Sequence, residues 1–169
     1  MSGSGPRHSS RQAALQVLYA VDLAAATRGA RSAETAPLSA DEAFEAVAAH
    51  FDLPESARAF AKELVCGVTS RREDLDELLA KHSRNWRISR MAAVDRNILR
   101  LAAYELLRTA TPTSVILDQA IELARRFGDQ PSPAFVNGVL DAIARATRSD
   151  AARGPAGDAV GEPGSEGLR

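Results

Sequence analysis

The chain has 169 residues, 45% apolar and 5% aromatic, with a formal net charge of −1 at pH 7. That length allows one domain able to bury its own core, and a single cysteine, Cys66, excludes an internal disulfide and a Cys-x-x-Cys metal site. No charged-then-apolar leader opens the chain and no run is long enough to span a bilayer, so a cytoplasmic protein with no membrane partner is expected.

Alanine and leucine dominate and β-branched runs are scarce, which favours helix over strand. The composition divides the chain into a flexible basic segment over residues 1–8, a helical domain over 9–148 and a disordered Gly/Pro/Ala-rich tail over 149–169. Helix starts are marked by three apparent capping boxes, Ser9-x-x-Gln12, Ser39-x-x-Glu42 and Ser70-x-x-Glu73. The first opens a helix through Leu15, Leu18 and Leu23 that ends near Gly29, and the second opens Ala43 to His50. Pro54 starts a helix carrying Phe60, Leu64 and Val68, and the third box opens one with Leu75, Leu78 and Leu79. The longest apolar stretch, Met91 to Leu107, has Val94, Ile98, Leu101, Ala102 and Leu106 at helical spacing before Pro112 breaks it. A further helix spans Ser114 to Phe127 and stops at Gly128. Pro131 and Pro133 set the entry to a last helix with Phe135, Val136, Val139, Leu140 and Ile143. About seven helices with short loops make an all-α, single-domain helical bundle.

Catalytic patterns are missing. His8, His50 and His82 stand far apart, with no metal-ligand spacing, and neither a phosphate-binding glycine loop nor a Gly-x-Ser-x-Gly elbow occurs. Asp118 and Glu122 lie one turn apart, but Arg125 and Arg126 are within reach of Glu122 as ordinary helix-surface partners. Cys66 sits in an apolar stripe and reads as a small core residue. A protein that is not an enzyme, and that needs no cofactor, is expected.

Charge is unevenly spread. Acidic residues prevail from Asp41 to Leu79, whereas Arg84, Arg87, Arg90, Arg96, Arg100 and Arg108 face only Asp95 and Glu105. Near-neutrality therefore leaves room for a basic nucleic-acid face. Arg96 and Arg100 repel one another on an apolar helix and need acidic partners or a phosphate; Glu105 and Glu122 are internal candidates. Arg7, His8 and Arg11 differ, because positive charge at a helix start opposes the dipole and folding does not ask for it there. An external anion is one explanation and simple solvation the other. Tyr19 and Phe135, on the first and last helices, fit core packing or, if exposed, stacking on unpaired bases.

The run Val94-Asp95-Arg96-Asn97-Ile98-Leu99-Arg100-Leu101-Ala102-Ala103-Tyr104-Glu105-Leu106 resembles the long central helix of the NusB family. Ala120-Ile121-Glu122-Leu123-Ala124-Arg125, followed by Phe135-Val136-Asn137-Gly138-Val139-Leu140, is similar to its C-terminal helix pair, and Arg11 to Tyr19 to its opening helix. The resemblance implies seven helices in two packed halves and a transcription antitermination factor. Such a factor binds the boxA element of ribosomal RNA leaders together with the small-subunit ribosomal protein NusE, and joins NusA, NusG and RNA polymerase. It implies an RNA face at the basic N-terminus and at aromatics of the first and last helices, here Arg7, His8, Arg11, Tyr19 and Phe135. It also implies a NusE surface on the middle helices, where Glu73, Asp74, Asp76 and Glu77 form an acidic patch that a solvated helix face explains equally well. The resemblance leaves monomer and homodimer open, and a homodimer could cover the RNA face. The alternatives are a protein-only scaffold for NusE with vestigial RNA contacts, or the NusB-like domain of a ribosomal RNA methyltransferase, for which no catalytic domain follows.

Overall fold

The computed structural model describes residues 5–28, 39–50 and 52–153. Proline punctuation and apolar periodicity yield seven α-helices among these residues: α1 (Pro6–Arg28), α2 (Ala40–Ala48), α3 (Glu55–Ser70), α4 (Arg72–His82), α5 (Ala93–Arg108), α6 (Thr113–Phe127) and α7 (Ser132–Arg153). A single 3-10 turn, Ile88–Arg90, precedes α5, and the described residues contain no strand. The all-α expectation holds. Residues 1–4 of the basic N-terminal segment and 154–169 of the tail lie outside the described residues, while α7 continues through Ala151 and Ala152, past the expected end at Arg148.

One capping box of the three forms. Ser39 accepts the Glu42 N–H at 3.2 Å while the Glu42 carboxylate accepts the Ser39 N–H at 2.8 Å. The box expected at Ser9 lies inside α1, because Pro6 takes the first helical position, where its missing N–H costs nothing. The Ser9 N–H already bonds to Gly5 O at 3.2 Å. Ser70 belongs to the last turn of α3 and donates its hydroxyl to Gly67 O at 3.2 Å, so α4 starts after Arg71 without a side-chain cap. Pro54 and Pro112 stand directly before α3 and α6, where a fixed φ starts a helix cleanly.

Helices α1, α2 and α3 pack together, as do α4, α5, α6 and α7, and α5 joins the halves by lying against both α1 and α3. This central helix is buried on almost every side through Ile98, Leu99, Leu101, Ala102, Ala103 and Tyr104. Each fully buried leucine or isoleucine contributes about 1.5–3 kcal/mol. At Gly67 on α3 the backbone comes so close to Tyr104 that a Cβ would fall 2.1 Å from the ring. Glycine is there to admit the aromatic ring.

The same helix carries buried charge, and Glu105, Arg100 and the part-buried Arg96 are paired from other helices. Arg11 of α1 donates to both oxygens of Glu105, Nε to Oε2 at 2.8 Å and Nη2 to Oε1 at 2.7 Å. Arg100 grips Asp76 of α4 with two bonds of 2.6 and 2.7 Å and reaches Asp22 of α1 at 3.1 Å. Asp22 also takes Arg96 at 3.0 Å, Asn97 at 3.1 Å and Arg72 at 3.3 Å. Burial pushes the Asp22 carboxyl up, but the bonds from Arg96 and Asn97 and the charges of Arg100 and Arg72 outweigh it and hold the group below its ordinary value. Internal pairing of Arg96 and Arg100 thus holds, with different partners from those expected. Glu105 is taken by Arg11, and Glu122 pairs only along its own helix, with Arg125 at 3.7 Å.

Candidate nucleic-acid interface

Helix α1 runs antiparallel to α5: Arg11 meets Glu105 near one end, and Asp22 meets Arg96 and Asn97 near the other. The side of α1 turned away from these contacts carries His8, Gln12, Gln16, Tyr19 and Leu23, which helical spacing places on one stripe. Tyr19 is 41% exposed, and Leu23 beside it is also exposed.

At the N-terminal end of the stripe Arg7 is exposed, its guanidinium 4.7 Å from the centroid of the Phe60 ring. A cleft of about 690 Å³ opens there between Arg7, His8, Phe60, Arg108, Thr111 and Gln119. His8 has both ring nitrogens engaged, Nδ1 with Gln119 Oε1 and Nε2 with Gln12 Nε2, each at 2.7 Å. One tautomer, with hydrogen on Nδ1, satisfies both bonds, so His8 ties α1 to α6. Arg11 differs from expectation. It is 3% exposed and fully committed to Glu105, a core ion-pair partner rather than a surface cation. The charge that made it look like an anion ligand is answered from inside the fold.

Phe135, in the first turn of α7, is half-buried and stands edge-on to Trp86, with ring centroids 5.9 Å apart and planes at 63°. That geometry is favourable for two aromatic rings. Trp86, on the connection between α4 and α5, is 57% exposed. Below the rings, Ser132 donates its hydroxyl to Asp95 Oδ2 at 3.0 Å and accepts the Asp129 N–H at 3.0 Å, which fastens the start of α7 to the start of α5. Burial pushes the Asp95 carboxyl up; Ser132 counters this and Asp129 adds to it.

The expected RNA residues are therefore strung out. Arg7 and His8 lie by Arg108, at the C-terminal end of α5, and Phe135 lies by Asp95, near its start. The two positions on α5 are about 20 Å apart at 1.5 Å per residue, and Tyr19 stands on the intervening stretch of α1. Sequence reasoning missed Trp86. Its signal was a lone tryptophan inside a basic run, Arg84-Asn85-Trp86-Arg87.

On α4, Glu73, Asp74 and Glu77 are exposed, whereas Asp76 is held by Arg100. Cys66 is half-buried, and burial together with Asp41, 3.7 Å from its Sγ, pushes the thiol up, away from nucleophilic character. Among the described residues, His50 and His82 bond only to carbonyls one turn back in sequence, Ala46 O at 3.0 Å and Leu78 O at 2.9 Å. No helix among the described residues is long and apolar enough to cross a membrane.

Comparison with known proteins gives a consistent result. The model of the NusB family matches residues 8–145. The transcription antitermination protein NusB of Myxococcus xanthus is 43% identical over 141 residues, covering 83% of this chain and 95% of that protein. Among solved structures, NusB of T. maritima superposes with a TM-score of 0.71 at 31% identity, over 85% of this chain and 93% of that one. A crystal structure of antitermination factors NusB and NusE in complex with dsRNA matches with a TM-score of 0.69 at 32% identity, over 83% and 97% of the two chains.

Proposed function

Because the chain belongs to the NusB family, we propose that it binds the boxA element of ribosomal RNA leader transcripts together with the ribosomal protein NusE, as a cytoplasmic transcription antitermination factor. With NusA, NusG and RNA polymerase, the assembly reads through terminators. The observation that carries this reading is an exposed cation and two accessible rings, Arg7, Tyr19 and the half-buried Phe135, spread over about 20 Å of the length of α5. Arg7 supplies a phosphate contact, and Tyr19 and Phe135 supply faces for unpaired bases. His8 sets the angle of the first turn of α1 through Gln119, and Arg11 supports that turn from beneath through Glu105. The complex of a 32%-identical NusB with NusE and dsRNA supports both partners. A basic surface on NusE would suit the exposed acids Glu73, Asp74 and Glu77, with Asp76 turned inward to Arg100.

Titration of a boxA-containing RNA at several salt concentrations, with and without NusE, tests the reading. Binding should tighten with NusE, and Arg7→Ala should make the log–log salt slope shallower by about 0.7, the value for one single-strand phosphate contact. Equal affinity for a scrambled RNA of the same length would overturn it. The burial of Arg11 favours one second reading, a NusE scaffold with vestigial RNA contacts, in which NusE binding is unchanged and RNA adds nothing.

A further inference from the structure

Trp86 is more exposed than any other large hydrophobic residue described, 57% against 53% for Leu23. Its indole does not close the core; with Phe135, whose ring it meets edge-on, it lines a pocket of about 300 Å³. Met91 and Pro131 complete apolar walls, and Asp95 with its Ser132 hydroxyl lies at the base. The space is too small for a helix, which is 10–12 Å across with its side chains. It suits one flat ring system.

Charge decides what kind of ring. Arg84, Arg87 and Arg90 are exposed on the same connection, and none has an ion-pair or hydrogen-bond partner for its guanidinium among the described residues. Other arginines nearby, Arg96 and Arg100, each have an acidic partner, so these three are set apart. Arg90 borders the pocket itself, and at the base the sign is reversed. The Asp95 carboxyl and the apolar walls repel a phosphate and admit an uncharged heterocycle. An uncharged ring within and anions directly outside are the chemistry of a nucleotide in a single strand.

We propose that this pocket takes one unpaired nucleobase of an RNA strand against the Trp86 and Phe135 rings that line it, with the flanking backbone phosphates on Arg84, Arg87 and Arg90. The proposal rests on the RNA-binding reading above and adds to it a second aromatic wall and a basic connection.

Trp86 is the only tryptophan in the chain, so its emission reports on this pocket alone. Unlabelled single-stranded boxA RNA is titrated while tryptophan emission is followed, and in parallel the anisotropy of end-labelled RNA measures binding anywhere on the protein. Emission should change along the same isotherm as anisotropy. Trp86→Ala should weaken binding by roughly tenfold, as expected for one base–aromatic stack, while Trp86→Phe retains most of the affinity. An RNA with one abasic nucleotide, walked along the sequence, should reveal a position at which Trp86→Ala no longer has an effect. If anisotropy reports binding but emission and the Trp86→Ala affinity do not change, the pocket proposal falls and the RNA reading stands. If neither signal reports binding, both fall. An emission change with NusE and none with RNA also overturns the proposal, by identifying a peptide pocket. Should Trp86→Ala fail to fold, the emission titration and the Trp86→Phe variant still decide.

Discussion

Replacing Arg11 by alanine separates two roles that its position in the sequence leaves mixed. Glu105 is 1% exposed, and Arg11 is its one ion-pair partner among the described residues, through two bonds of 2.8 and 2.7 Å. Arg11→Ala removes both bonds and strands a carboxylate in the core, a loss of about 3–5 kcal/mol. At roughly 2–4 °C per kcal/mol for a domain of this size, the melting temperature should fall by about 6–20 °C. An exposed arginine lost from a surface pair would cost only about 0–1 kcal/mol. Thermal melting by circular dichroism distinguishes these ranges. The double variant Arg11→Met with Glu105→Leu should recover most of the stability, since apolar residues of similar volume often replace a buried pair at little cost. At a temperature where it is folded, its RNA salt slope should equal that of the unmodified protein. Arg11→Ala melting within a degree or two of the parent, with a shallower salt slope, would refute the reasoning and make Arg11 a phosphate ligand.

Gly67→Ala should destabilise the domain, because the new methyl would sit 2.1 Å from Tyr104 Cζ and 2.5 Å from Cε2. Overpacking costs about 1–3 kcal/mol and the gain in helix propensity returns only about 0.5–1 kcal/mol. Denaturant unfolding of Gly67→Ala, Tyr104→Ala and the double variant should show the double losing less than the two singles together; simple additivity would dismiss the close approach. Asp22→Asn addresses acid stability. The folded Asp22 carboxyl is held below its ordinary value, so its contribution is present above the unfolded value near 4 and is lost as pH falls through the folded value. The variant should be less stable at pH 7 and show a flatter fall in stability below about pH 4. Parallel curves for variant and parent would contradict this.

Helices were legible where punctuation is unambiguous. Pro54, Pro112 and Gly128 sit at helix boundaries in the fold as their chemistry requires. The capping-box pattern was less reliable, because four residues cannot say which turn of a helix they occupy, and Pro6 and Arg71 decide that at Ser9 and Ser70. Buried ion pairs were legible in kind and hidden in partner. Arg100 finds Asp22 across 78 residues and Arg11 finds Glu105 across 94, separations no local spacing encodes. Arg11 therefore read as an external ligand when its anion was internal. Trp86 escaped notice because a single aromatic on a connection has no periodicity, and only the fold brings Phe135 beside it.

The long-range pairing of α1 has a consequence for how the protein is made. A chain synthesised from its N-terminus presents Arg11 and Asp22 on the inner side of the first helix long before their counterions exist. Arg96, Arg100 and Glu105 follow 74, 78 and 94 residues after their partners. Until α5 has left the ribosome, Arg11 lacks its counterion and Asp22 has only the more exposed Arg72 of α4, so collapse of the first three helices leaves charge poorly compensated, which is costly in an apolar interior. Early folding of the N-terminal half as a separate unit is thus disfavoured. Completion of α5 supplies Glu105 to Arg11, and Arg96 and Arg100 to Asp22, on the one helix that packs against both halves.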